Sequence, residues 1–550
     1  MLRELSQSLP LSATVVLLIL GLLLSWRLWM FTLKPLIFPS APKVLPYWIP
    51  CHSIAFFRSS DKAIERGLRY VRYSYEPFAL QVLGKKLYII SSPTDVTAVF
   101  RDTESLQFEG YLDLLLKNMG IKSKARKLAW HKPVPGDSHY DPNNKINPRH
   151  LDVIHFVEQA WRTQLLVEER RHEISTPFLK LADMWLQPDH LDAHALQTDC
   201  LWCGLRPCDM DHDGGGYPGQ ISLHSLCRVV FVEGNTRAIF GPHLHDIDPK
   251  VAEHMAQFND SVWMILFNYP DLLQLPVTQA KDKLVAALST FIQTPDHNKG
   301  SEAGIIKETL GVMEAAGLDV GSRATMILLS YWNAISNVGL STFWILSYLL
   351  FDDSLFQLVR DETEAAWHQT QPDSRPPQLD IRYLCANAPY LDAILNEVLR
   401  LKNGSGAIRE VLKDTTVGGK TLEAGNLAWI PFHQLHTNLN VWGSNAEDFD
   451  PFRFIKNKNL DRHPSFRPFG GGATLCPGTL LTKEEIFGFI AILLHRYDIR
   501  LATATSVGLK PGDNKKQEFP RMNDLVPSTG VNGPMPGMDI VVDIKMKTKV

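Results

Sequence analysis

Cysteine is scarce in this chain: seven residues among 550, spread without a pairing rhythm. That scarcity excludes a disulfide scaffold of the secreted kind and favours a reducing compartment. An excess of one charge is also missing. Lys and Arg total 56 against 59 Asp and Glu, a formal charge of −3, so nothing points to a nucleic-acid partner. No segment repeats, which excludes a solenoid. What is present is 45% hydrophobic content, enough to bury a large core over a length suited to one large domain or two to three ordinary ones.

Only one apolar run stands alone. Residues 11–33 can span a bilayer, with Trp26 and Trp29 as interfacial anchors near the end. A cleaved signal peptide would need a small-residue site close behind, and none follows. Arg27, Lys34 and Lys43 instead form a basic flank suited to the cytoplasmic side. Residues 1–34 therefore read as a single-pass signal anchor. Residues 35–50, with Pro35, Pro39, Pro42, Pro46 and Pro50, read as a stiff extended tether. The remainder, 51–550, reads as one body, mainly α with small β-sheets. A hairpin is expected at 79–83 and 86–90 around Gly84-Lys85. Helical periodicity then runs from Asp95 to Tyr497, broken by polar linkers at 132–148, 294–304 and 371–378, and β character returns at 539–545.

One insertion, 199–220, carries Cys200, Cys203, Cys208 and His212 at spacings that resemble a zinc site. It is short and has no second well-spaced pair, so a surface loop or a gene-model artefact is the better reading. Gly214, Gly216 and Gly219 also satisfy GxGxxG, but a dinucleotide fold requires a strand immediately before them, and Cys-Asp-Met-Asp-His-Asp is not one.

The chemistry concentrates near the C-terminus. Phe469, Gly472, Cys476 and Gly478 complete the pattern FxxGxxxCxG, with Gly470 and Gly471 in the same loop and a long apolar helix immediately after. A lone thiolate in a Gly-rich loop at a helix N-terminus is how proteins present an axial sulfur to haem iron. Close backbone N–H groups and the positive helix end both favour the thiolate. Upstream, Glu397 and Arg400 lie three apart on one helix face, and Arg453 follows in a Pro/aromatic loop. A carboxylate clamped by two guanidiniums stays ionised when buried and can lock the helix to a loop beneath a cofactor.

The ordered set of anchor, tether, ExxR helix, Arg453 loop, Cys476 loop and terminal hairpin resembles the cytochrome P450 superfamily over nearly the whole chain. The resemblance implies the P450 fold and haem b with Cys476 as proximal ligand. It also implies a structural triad of Glu397, Arg400 and Arg453, Phe469 packed near the sulfur, and Arg409 as partner of a haem propionate. It implies electrons from NADPH–cytochrome P450 reductase, with cytochrome b5 as an additional donor, a lipophilic small-molecule substrate, and residence in the endoplasmic reticulum membrane with the catalytic domain facing the cytoplasm.

A long helix over 325–350 is expected to pass over the cofactor, because Asn333, Asn337 and Ser341, with Ser330 nearby, draw a polar stripe along it. The family's usual acid followed by Thr reads Ser336 and Asn337 here, so its ordinary proton relay does not carry over. Asn337, with Ser336 and ordered water, is expected to hold the distal water chain instead. Asn337 and Thr474 are similar to the subgroup of sterol 7α- and 12α-hydroxylases and prostacyclin synthase. Thr479 replaces a common Arg. The usual WxxxR is missing, since Trp161 is followed at once by Arg162 with Leu165 at the expected place. By the same resemblance, 261–275 and 526–538 line the substrate. The expected activity is monooxygenation in a biosynthetic tailoring step. The alternative is a haem-thiolate isomerase or dehydratase that needs no external electrons.

Overall fold

The structure, a computed structural model, describes residues 11–48, 51–137, 140–187, 219–269, 274–295, 300–368, 378–502 and 517–547. The chain opens with helix α1, Leu11–Leu28, followed by a π turn at Trp29–Leu33 and a last helical turn at Lys34–Ile37. The expectation of an extended tether from residue 35 is corrected at its start. Pro35 lacks an N–H and would crowd the preceding turn. The wider π turn, closed by the Lys34 N–H onto the Trp29 carbonyl, accommodates it and lets the helix continue. The helical stretch Ser12–Ile37 is long and apolar enough to cross a membrane and none of it is buried, so it is a candidate anchor. Ile49 and Pro50 of the tether lie outside the described residues.

The body is mainly helical. Strands β1, Phe78–Val82, and β2, Lys85–Ile89, pair antiparallel as the expected hairpin. Helix α2, Pro93–Arg101, follows. Next come α3, Val153–Leu166, and α4, Glu168–Trp185. Strand β3, Gly219–Ser222, leads directly into α5, Leu223–Phe240. Helices α6, Val320–Ile335, and α7, Val338–Phe351, lie in the interior. Helix α8, Pro389–Lys402, is buried through Leu391, Ile394, Leu395 and Val398, the stripe its periodicity predicts.

Strands β4, Gly406–Val411, and β5, Leu427–Pro431, join β1 and β2 in a six-stranded sheet. Its order is Lys43–Val44, β1, β2, β5, β4, Leu106–Gln107. Helix α9, Thr479–Arg496, runs into β6, Tyr497–Leu501. Strand β6 pairs antiparallel with β7, Val541–Met546.

Two further expectations change. Strand β3 pairs with β7 in the register Val541 to Ser222 through Ile544 to Gly219, so the insertion read at 199–220 ends in a sheet rather than a loop. The unpaired side of β7 needs a hydrogen-bonding partner, and β3 supplies it. The rest of that insertion lies outside the described residues, as do 296–299 and 371–377 of the linkers and 270–273 of the segment 261–275. The distal helix is not one piece over 325–350. It starts at Val320 and breaks at Ser336-Asn337. Its apolar character serves burial: Phe343, Trp344, Ile345, Leu346 and Leu349 are fully buried in the main core.

Candidate active site

Glu397 and Arg400 are completely buried on the last turns of α8. The Arg400 fork donates to both carboxylate oxygens of Glu397, Nε to Oε2 at 2.7 Å and Nη2 to Oε1 at 2.8 Å. Its remaining donors reach the carbonyls of His436 (2.9 Å), Ala446 (2.6 Å) and Asp448 (3.1 Å). Arg453 Nε donates to Glu397 Oε1 at 3.0 Å, and the Asp450 N–H donates to the same oxygen at 2.9 Å. The three residues read from the sequence as a triad thus meet in space. Arg400 also lies 5.0 Å from the Trp442 ring centre, which closes the site with an aromatic face.

His436, which the sequence reading missed, joins this network to the Cys476 loop. Its Nδ1 lies 3.2 Å from the Arg400 carbonyl and its Nε2 accepts the Arg467 N–H at 2.9 Å. That arrangement requires a neutral ring protonated at Nδ1. Burial, then the Arg400 charge, lowers its pKa to about 3. Nothing about its spacing marks it, because both of its partners are backbone groups.

The loop itself is tightly organised. Gly470 takes φ +79° and its N–H reaches the Arg467 carbonyl at 3.1 Å. Gly472 takes φ +60°, and a Cβ there would come within 2.8 Å of the Phe100 carbonyl oxygen of α2, so only glycine fits. The Cys476 N–H donates to the Phe469 carbonyl at 2.9 Å, which sets the Phe469 backbone beside the cysteine. The Gly478 N–H points at Cys476 Sγ, 3.4 Å away, just before α9 begins at Thr479.

Cys476 is solvent-accessible yet set among dense neighbours. Burial pushes its thiol up, while the Gly478 N–H and the Arg162 guanidinium act the other way. An accessible sulfur in a Gly-rich loop, with one backbone N–H directed at it, is a donor that fits haem iron, which Cys476 would hold as its thiolate.

Arg409, on β4, is buried with no carboxylate paired to it among the described residues. Its Nη1 donates to its neighbour's carbonyl, Ile408 O (2.7 Å), and its Nη2 to Thr474 Oγ1 (2.7 Å), both neutral acceptors. Burial lowers its pKa, with Glu109 opposing. A buried guanidinium against the Cys loop with only neutral partners fits a haem carboxylate. Thr474, noted from the sequence only for its subgroup similarity, is the group that orients it. Arg162 on α3 also reaches the loop, donating to the Ala473 carbonyl, although no WxxxR spacing announces it.

On the opposite helix the polar stripe divides. Ser330 and Ser341 bond back to their own helix, to Met326 and Asn337 carbonyls at 3.3 and 2.8 Å. Asn333 is exposed. Ser336 and Asn337 remain at the break, with Asn337 Nδ2 donating to Ser336 Oγ at 3.0 Å.

The family model described as Cytochrome P450 matches residues 317–519, which contain the distal helices, the triad and the Cys476 loop. Cytochrome P450 monooxygenase poxD of Penicillium oxalicum is 23% identical over 85% of this chain and 89% of its own length. Cytochrome P450 monooxygenase calL of Penicillium decumbens is 22% identical over 80% and 81%. The chain belongs to the cytochrome P450 superfamily. Its fold is the P450 fold and its activity class is that of a P450 monooxygenase. Strychnine-10-hydroxylase of Strychnos nux-vomica shares 32% identity over 35% of this P450 and 36% of its own length. The P450 family uses haem with a cysteine thiolate and takes its electrons from a redox partner.

Proposed function

We propose that this P450 inserts one oxygen atom from O2 into a lipophilic small molecule of sterol-like, terpenoid or polyketide type, as a tailoring step in biosynthesis. The observation that carries this reading is the continuous linkage from the buried Glu397–Arg400–Arg453 network through His436 to the Cys476 loop. Haem b, held by Cys476, supplies oxygen activation and C–H oxidation when bound. Arg409, oriented by Thr474, neutralises a haem carboxylate. Gly470, Gly472 and Gly478 shape the loop that presents the sulfur, and Phe469 packs beside it. Ser336 accepts the Asn337 N–H, which leaves its own hydroxyl proton free to donate toward distal water. Ser336, oriented by Asn337, thus keeps a proton path in place of an acid and a threonine.

Residues 1–34 would anchor the chain in the endoplasmic reticulum membrane, 35–50 would join the anchor to the body, and 51–550 would form the cytoplasmic catalytic domain. Electrons would come from NADPH–cytochrome P450 reductase, with cytochrome b5 as an additional donor. Expression with that reductase and NADPH should convert candidate lipophilic pools to products one oxygen atom heavier by mass spectrometry. A product of unchanged mass, or one that has lost water, formed without oxygen or NADPH, would favour an isomerase or dehydratase. The absence of a carboxylate at Ser336-Asn337 is the feature that supports that second reading.

A further inference from the structure

The segment that returns to the site before β7 is fastened at several points around Gly530 and Val531. The Gly404 N–H donates to the Gly530 carbonyl at 3.1 Å, and the Asn532 N–H donates to the Lys402 carbonyl at 2.8 Å. Trp344 Nε1, on α7, donates to the Asn532 carbonyl at 2.7 Å. Asn403, which forms an isolated β-bridge with Val531, also donates through Nδ2 to the Pro468 carbonyl at 2.9 Å. One contact reaches the distal helix break: the Val531 N–H donates to Asn337 Oδ1 at 2.8 Å.

That contact fixes the Asn337 amide. A backbone N–H can only donate, so the amide oxygen must face Val531 and the NH2 must face Ser336, where the 3.0 Å bond is found. Gly530 packs against the same side chain. A Cβ there would overlap the Asn337 amide. Gly530 is not among the left-handed residues, so the obstacle to a side chain is steric, and the three atoms a Cβ would meet first all belong to the Asn337 amide. The two residues therefore constrain each other.

We infer that Asn337 is a positioning residue: it pins the Gly530-Val531 turn of the terminal loop to the break between α6 and α7, and thereby sets one wall of the substrate cavity. The wall assignment rests on the monooxygenase reading above. The clasp rests on its own geometry. The amide's acceptor is committed to Val531, so Asn337 acts on the reaction through the loop and through Ser336, and passes no proton itself.

Hydrogen–deuterium exchange of the haem-loaded protein tests the clasp on peptides covering 526–535. Asn337→Ala should speed exchange there by about tenfold, the scale of one hydrogen bond. Asn337→Asp keeps an acceptor for Val531 and should stay within about twofold of the unaltered protein. Gly530→Ala should lower the thermal midpoint in the native background and much less in Asn337→Ala, where the colliding atoms are gone. Unchanged exchange in Asn337→Ala overturns the clasp, as does equal harm from Gly530→Ala in both backgrounds.

A series of N-alkyl imidazoles, whose ring nitrogen binds haem iron and shifts its absorption, reads the cavity. The tightest-binding chain length should change in Asn337→Ala and hold in Asn337→Asp. Faster exchange with an unaltered length preference overturns the wall assignment, while the monooxygenase reading is judged separately by product mass.

Discussion

Glu397 accepts four hydrogen bonds while fully buried: two from Arg400, one from Arg453 and one from the Asp450 backbone. Taking away one partner leaves charge without compensation in the interior, which costs about 3–5 kcal/mol. Arg453→Ala should therefore give little haem-loaded protein, measured as haem absorbance per folded chain. Arg400→Lys should fail as well, because an ammonium cannot reproduce the planar fork that grips both oxygens and three carbonyls.

Glu485, buried on α9 with Asn235 donating to it at 3.1 Å, sits at the opposite electrostatic extreme. Burial raises its pKa from 4.5 to about 8. Folding thus favours the protonated form. The stability this contributes is complete below 4.5 and is lost as pH rises through about 8. Glu485→Gln keeps the Asn235 contact without the titration. Denaturant unfolding should show the variant equal to the native chain near pH 4 and more stable by up to about 5 kcal/mol above pH 8.

The residues legible in the sequence were those whose chemistry demands a side-chain partner at fixed spacing: Cys476 with its glycines, and Glu397 with Arg400. His436, Asn403 and Arg162 make their decisive contacts with backbone groups, and such partners leave no pattern in the letters.

Among the elements, helix α8 was legible because it buries one periodic face, and the hairpin of β1 and β2 and the terminal strand because each is a short β-rich apolar run beside a turn or a Pro/Gly-rich loop. The break between α6 and α7 was not. Residues 325–350 carry no proline, the Ser336-Asn337-Val338-Gly339 run is only a weak breaker within a long apolar pattern, and the interruption coincides with a contact to Val531, nearly two hundred residues away in sequence. Strand β3 was hidden for the same reason, since its partner β7 lies at the far end of the chain.

The Cys476 loop shows an element under steric control. Gly472 combines φ +60° with close approach to α2. Gly472→Ala adds about 1–2 kcal/mol of backbone strain alone, and the collision with the Phe100 carbonyl adds more. Haem retention should fall in this variant even though no ligand or charge has been removed. Haem content after gel filtration would measure it.

Across the whole molecule, α1 is fastened to the segment that follows it. Arg27 Nη1 donates to the Tyr47 carbonyl at 2.9 Å, and its guanidinium lies 4.3 Å from the Trp48 ring centre. Trp26 and Phe31 pack edge-on against Tyr47 at 5.6 and 5.4 Å and against each other at 5.7 Å, forming one aromatic cluster. None of Trp26, Phe31 and Tyr47 belongs to the buried cores that surround the site, and Tyr47 meets the body at its margin, edge-on against His52 at 5.0 Å. A chain starting at residue 35 should therefore keep its haem spectrum and lose most of its membrane association, scored by sedimentation with lipid vesicles. Loss of the spectrum on truncation would show that the anchor helps build the catalytic body.

The fold and the site converge on Cys476, so the most direct measurement is absorption of the ferrous carbon-monoxide adduct in the native chain and in Cys476→Ala. Within the protein the Cys476 side chain takes a hydrogen bond from the Gly478 N–H, and its accessible position makes the substitution mild for the fold. The native chain should give the red-shifted band of a thiolate-ligated haem. Cys476→Ala should lack that band while its circular dichroism is preserved. A red-shifted band that survives in Cys476→Ala would contradict the assignment of the proximal ligand.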